Sequence, residues 1–319
     1  MLLFVLAGIL WVGWALFLPL TPPQGQTSVL LRPGFSARKI AAELRSNHVI
    51  RSRHAFLLWY YLHGGSMKAG EYLFEKPATA VEIYQRLVQG DIYFHSVTIP
   101  EGYTVFEIAQ AIEAAKLGSA DDFLKIALHE TSLVADLDPE ARSLEGYLFP
   151  NTYQFTRTQN LQDMAAEMVK QFRAVAQELG IHQDTHRIVT MASIVEKETA
   201  VPDERPLVAS VYYNRLAKDM ALAADPSVIY GELVQGKYSG TLHHEDMQSE
   251  SPYNTYLHTG LPPGPIANPG RSALQAALHP STSDYLYFVS DANGHHRFAR
   301  SLEEHNRNVD EYRRAMRGR

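Results

Sequence analysis

The chain contains no cysteine. That absence excludes a disulfide framework and any thiolate metal site. It is compatible with a place on either side of the cytoplasmic membrane. Positive charge is also in short supply: 29 Lys and Arg against 35 Asp and Glu give a net charge of −6. Nucleic acid is therefore not an expected partner, since general binders of it present a basic surface. There is no Gly-x-Ser-x-Gly elbow, no P-loop and no dinucleotide-binding glycine fingerprint. The 14 histidines show no ligand spacing. His182 and His186 lack the Glu of a His-Glu-x-x-His motif, and His243-His244 and His295-His296 are adjacent pairs, poorly placed to share one ion. No metal and no cofactor is expected.

Charge is wholly missing from Met1 to Leu20. Twenty residues in a helix reach about 30 Å, the thickness of a bilayer core. Trp11 and Trp14 suit a membrane interface. No basic stretch opens the run and no small-residue cleavage site closes it, so a cleaved signal peptide fits poorly. The expectation is an N-terminal transmembrane helix over residues 1–20, followed by a linker over 21–26. Arg32, Arg38 and Lys39 do not fix its orientation, because large domains cross membranes regardless of such charges.

The rest reads as a globular α+β protein: 319 residues, 45% hydrophobic and 20% charged, are enough for two domains. Three segments repeat a turn, a cap and a short amphipathic helix, beginning at Pro33, Pro77 and Pro100. Thr79 with Glu82 and Thr104 with Glu107 fit the capping box, whereas Ser36 caps alone. Val29 to Leu31 and His95 to Ile99 read as strands, and Lys68 to Phe74 as a short turn and strand. A strand, a Pro-Gly or Pro-Glu-Gly turn and a capped helix with Ile-Ala near its middle resemble the LysM carbohydrate-binding module. That resemblance implies a LysM-like αβ module over residues 27–98, whose ligand is an N-acetylhexosamine polymer. Residues 99–319 are expected to form a mixed α+β catalytic domain, with helices over Ser119 to Glu130 and Leu161 to Leu179.

Within that second part, Ile188 to Ala200 is an apolar helix that ends in two acids. Ile188, Val189, Met191, Ala192, Ile194 and Val195 form one broad arc, and Thr190, Ser193 and Lys197 form the polar face. Glu198 shares the side of Ile194 and Val195, and Glu196 lies on the other flank. A carboxylate so placed is ion-paired, frayed into solvent at the helix end, or held at a raised pKa for use as an acid. Spacing alone does not choose among these. Around this helix lie Glu145 to Tyr153, Asp225 to Gly231, Ser251 to Tyr256, and a Gly- and Pro-rich loop from His258 to Gly270. Tyrosines and asparagines are dense in these loops, which suits a saccharide cleft: rings pack on sugar faces and amides bond hydroxyl and N-acetyl groups.

Ala192-Ser193-Ile194-Val195-Glu196-Lys197-Glu198-Thr199-Ala200 resembles the catalytic helix of the YceG-like (MltG) family of endolytic murein transglycosylases. Asp225 to Gly231, Tyr253 to Tyr256, Gly260 to Ile266 and His279-Pro280 resemble the loops around it. The likeness covers nearly the whole chain and is most specific in its second half. Asn151 departs from an expected Asp, and the basic residues usual before the anchor are missing. The resemblance implies cleavage of the β-1,4 bond between N-acetylmuramic acid and N-acetylglucosamine, with the muramic C6 hydroxyl attacking C1 to leave a 1,6-anhydro end. One carboxyl group can serve as acid and then as base in such a reaction. A hydrolase needs a second carboxylate at about 5–5.5 Å or about 6.5–9.5 Å. Glu196 and Glu198 diverge by roughly 160° and make a poor pair. As the family aligns, Glu198 is the catalytic acid/base, Thr199 its hydroxyl neighbour and Glu196 a supporting residue, with Tyr147, Asp225, Tyr253 and Asn254 as sugar-binding residues. The implied partners are peptidoglycan strands, the membrane through residues 1–20, and peptidoglycan synthases. The implied placement is the cytoplasmic membrane, single-pass, N-in and C-out. The competing readings are a non-catalytic peptidoglycan-binding tether and a hydrolysing muramidase.

Overall fold

A computed structural model describes residues 1–291 and 293–317. The fold is mixed α+β, and the chain divides into two compact units.

The first unit comprises Met1–Val97, Ala115–Leu117 and Tyr153–Asn160. It contains α1 (Leu2–Phe17), β1 (Thr27–Leu31), α2 (Ala37–Ser46), α3 (Arg53–His63), β2 (Gly70–Phe74), α4 (Ala80–Gln89) and most of β3 (His95–Ile99). β1 and β2 pair antiparallel, with Val29 opposite Tyr72 and Leu31 opposite Gly70. Alternate residues of β1 point inward, so Val29 and Leu31 join Leu44, Phe56, Ile83 and Leu87 in one core. The caps form as the sequence predicts. Ser36 accepts from the Lys39 amide, and Thr79 and Glu82 close a full capping box on α4.

The N-terminal helix corrects the expectation of a membrane span. Among the described residues, no helix is long and apolar enough to cross a membrane. α1 has 16 residues, about 24 Å at 1.5 Å each, against about 30 Å for a bilayer core. Leu18 is extended, as a residue preceding proline tends to be, and stops the helix short. Its C-terminal end then belongs to the folded unit. Ala15 and Leu16 are buried, Phe17 meets Trp59 edge-on, and the Arg51 guanidinium donates to the carbonyls of Leu18 and Pro19. An apolar run that supplies core residues looks, in one dimension, like one that meets lipid.

The second unit comprises Thr98–Ala114, Gly118–Thr152 and Leu161–Arg319. It holds α5 (Val105–Ala114), α6 (Ala120–His129), α7 (Leu161–Leu179), α8 (Thr185–Glu198), α9 (Arg205–Leu216), α10 (Asp225–Val234), α11 (Arg271–Leu278), β5 (Tyr287–Ser290), β6 (His296–Ala299) and α12 (Leu302–Arg317). β4 (Asn151–Phe155) pairs with β3, and the division between the units falls within these two strands. β5 and β6 form an antiparallel hairpin. α8 is the central helix of this unit, with α9, α10 and α11 packed around it.

Candidate active site

α8 is buried along its whole middle, from Ile188 to Val195. Thr190 and Ser193 of its expected polar face are buried too. The Ser193 hydroxyl donates to the Thr190 carbonyl at 2.7 Å and accepts from the Ile266 amide at 3.0 Å. The polar side of the helix thus holds the Gly- and Pro-rich loop in place. The helix emerges at its two ends: at His186 and Arg187 in the first turn, and in the last turn with Lys197 exposed and Glu196 and Glu198 partly so.

The two acids of that turn have different surroundings. The Glu196 carboxylate receives the Arg205 guanidinium at 2.6 Å and the Gly270 amide at 2.9 Å, and both side chains of the ion pair are about 5–6% exposed. Glu198 lines a cleft of about 430 Å³ with Tyr212, Arg215, Asp225, Tyr256 and Tyr287. Burial pushes its pKa up to about 7; the Tyr212 hydroxyl bond and Arg215 oppose the rise, and the charge of Asp225 adds to it. A carboxyl group in this state can hold a proton near neutral pH and release it to a bound substrate.

Asp225 opens α10 and accepts a hydrogen bond from the Tyr256 hydroxyl. Arg215 is pinned by the carbonyls of Leu286, at 2.7 Å, and Leu222, and its guanidinium lies 5.4 Å from the centre of the Tyr287 ring. These contacts fix side chains that line the cleft with Glu198. Thr199 is buried, and its hydroxyl accepts from the Val201 amide at 3.0 Å, turning the chain away after the helix.

The remaining expected residues sit elsewhere. Tyr147 is fully buried; it packs on Phe172 and donates to Asp138, whose carboxylate also meets His186 Nδ1 at 2.7 Å. The Asn254 amide donates to the carbonyls of Met247 and Ser249, at 3.0 and 2.8 Å, and its oxygen accepts from the Tyr256 amide at 3.0 Å. It shapes the turn that carries Tyr256. Tyr253 packs on Tyr230, ring centres 4.9 Å apart. Among the expected residues, Glu198 and Asp225 therefore share the cleft.

A second buried acid was not singled out from the sequence. Glu145, 1% exposed, accepts from the Val105 amide at the start of α5 and from Asn268 Nδ2 at 2.7 Å. Burial raises its pKa to about 8, against the opposing bonds from Val105 and Tyr230. Asn268 is the hub of three loops: its oxygen accepts from the Gly146 and Leu148 amides, both at 2.9 Å, and its nitrogen also donates to the Tyr103 carbonyl at 2.9 Å. Gly146, at φ +90°, is tightly enclosed; a Cβ there would lie 2.6 Å from Pro265 and 2.8 Å from Val189. Tyr212, Arg215 and Asn268 carry no local signal. Glu145 had one, an acid set one glycine ahead of the apolar run Tyr147 to Pro150.

The sequence profile of the YceG-like family matches residues 29–311. An endolytic murein transglycosylase of Bacillus subtilis (strain 168) is 34% identical over 332 positions, covering 97% of this chain and 91% of that protein. One from Streptococcus pneumoniae (strain R6) is 30% identical over 88% of this chain; here the chain spans 57% of the relative's length. The crystal structure of a yceG-like protein from Listeria monocytogenes is similar at a TM-score of 0.58 and 34% identity, over 89% of this chain and 99% of that one. A match of this extent to the profile, with relatives this close along most of the sequence, means that the chain belongs to the YceG-like family.

Proposed function

We propose that this protein is an endolytic murein transglycosylase, a lyase that cuts peptidoglycan glycan strands internally, with Glu198 as its single acid/base. The observation that carries the residue assignment is the last turn of α8. Of its two acids, Glu196 is consumed by Arg205 and Gly270, while Glu198 lines an open cleft with its pKa raised to about 7. The names of the relatives carry the substrate.

In the first half of the reaction the Glu198 carboxyl gives its proton to the oxygen leaving C1 of N-acetylmuramic acid, and the C1–O4 bond breaks. In the second the muramic C6 oxygen bonds to C1, and its proton passes to the Glu198 carboxylate. The acid is regenerated, water is not consumed, and the new end is a 1,6-anhydro ring. Tyr212 donates to the carboxylate form and so steadies the charge that appears between the two halves. Murein lies outside the cytoplasmic membrane, so the domain that acts on it is extracytoplasmic.

A hydrolysing muramidase has one observation in its favour: Asp225 is a second carboxylate in the same cleft. Mass analysis of fragments from purified glycan strands separates the two. Anhydro-ended products that vanish in folded Glu198→Gln support the proposal, and reducing ends would replace it with hydrolysis. Undiminished cutting by Glu198→Gln would sink the residue assignment.

A further inference from the structure

The Glu198 cleft has a neighbour. A second cleft of about 370 Å³ is lined by Phe106, Tyr230 and Tyr238, with Lys197, Glu107, Gln110 and Thr104 among its polar groups. The two share no lining residue but come close at two places in the chain. Glu198 and Asp225 line the first, whereas their sequence neighbours Lys197 and Pro226 line the second. Successive residues of a helix point about 100° apart, so the two clefts open on different sides of the end of α8 and the first turn of α10.

The chemistry of the second cleft is that of a sugar carrying an acid. Phe106 and Tyr238 are half-buried and offer ring surface for the C–H face of a pyranose. Gln110 is exposed and offers an amide for hydroxyl or N-acetyl groups. Lys197 is exposed and donates to the Gly102 carbonyl at 3.2 Å, which leaves other ammonium protons for a ligand. Glu107 does not oppose an anion strongly, because its carboxylate is turned onto the Thr104 amide at 2.8 Å and hydroxyl at 2.9 Å.

We propose that this cleft is a second strand-binding subsite, in which Lys197 pairs with a carboxylate on the side chain of a muramyl residue one or more sugars from the bond being cut. The proposal rests on the transglycosylase reading. An internal cut needs strand held on both sides of the broken bond, and a cleft one residue along α8 from that of Glu198 can supply the second hold. The carboxylate has two possible sources with the same chemistry: the free lactyl group of a denuded strand, or an acid of the stem peptide.

Steady-state kinetics of the full chain tests this, with Lys197→Met and the charge-preserving Lys197→Arg on denuded and on stem-bearing strands. A lost charge-assisted hydrogen bond should raise KM about ten-fold for Lys197→Met. The kcat and its pH profile should stay as in wild type, and Lys197→Arg should keep a near-normal KM. A rise confined to denuded strands identifies the lactyl carboxylate; one confined to stem-bearing strands identifies the peptide; a rise on both means that Lys197 takes either. Unchanged KM on both substrates overturns the subsite. So does a fall in kcat with a displaced pH profile, which would tie Lys197 to Glu198 instead. If wild type itself yields no anhydro ends, the transglycosylase reading fails, independently of Lys197.

Discussion

Glu196 and Glu198 are the same side chain two positions apart, and their neighbours give them different chemistry. Arg205 and the Gly270 amide hold one; Tyr212 and the field of Asp225 tune the other. Tyr212 is buried and donates to Glu198, so it favours the ionised form. Tyr212→Phe should therefore move the alkaline limb of the rate profile upward by about one pH unit, since a hydrogen bond to a charged group is worth about that much. A pH series of anhydro-product release measures it; a downward shift, or none, would show that the hydroxyl does not act on the acid. The sequence could place Glu198 at a helix end on an apolar flank, because both facts are local. It could not find Tyr212 or Arg215, which come from another helix and meet Glu198 only in three dimensions.

Loops and caps behaved differently. Capping boxes at Thr79 and Thr104 were legible because each is closed within four residues. The helix of α10 was not read as one, although Pro226 near its start is a recognised helix opener. β4 is not legible because it follows directly on the Gly- and Pro-punctuated segment from Glu145 to Pro150, which reads as a loop. Nor is Asn268, which ties the turn at Gly102 and Tyr103 and the Glu145 to Leu148 segment to the loop before α11. Asn268→Ala would strand the Gly146 and Leu148 amides in a buried place. We expect a loss of about 3 kcal/mol in denaturant unfolding. A loss under about 1 kcal/mol would show that the loops hold without this hub.

At the scale of the whole molecule, buried acids couple stability to pH. Glu145 titrates at an ordinary 4.5 when unfolded and at about 8 when folded. Between those values the folded state keeps a proton that the unfolded state has released. Its contribution is thus fully present below about pH 4.5, is lost as pH rises, and levels off above about 8. Glu198 acts with the same sign up to about 7. Thermal or denaturant unfolding of wild type and Glu145→Gln should show wild type losing a few kcal/mol more across that window. Parallel curves would mean that Glu145 is not held protonated. The sequence by itself determined the α+β composition, the capped helices, the apolar helix with its two terminal acids, and the family likeness, because these rest on periodicity and short motifs. Tertiary structure decided what one dimension cannot hold. The apolar N-terminal run became a 16-residue helix whose Ala15 and Leu16 enter a core while Leu2 to Leu10 stay exposed, a division that hydropathy along one dimension does not mark. The two acids of α8 were sorted in the same way: what distinguishes Glu198 from Glu196 is the side chains that the fold brings to each.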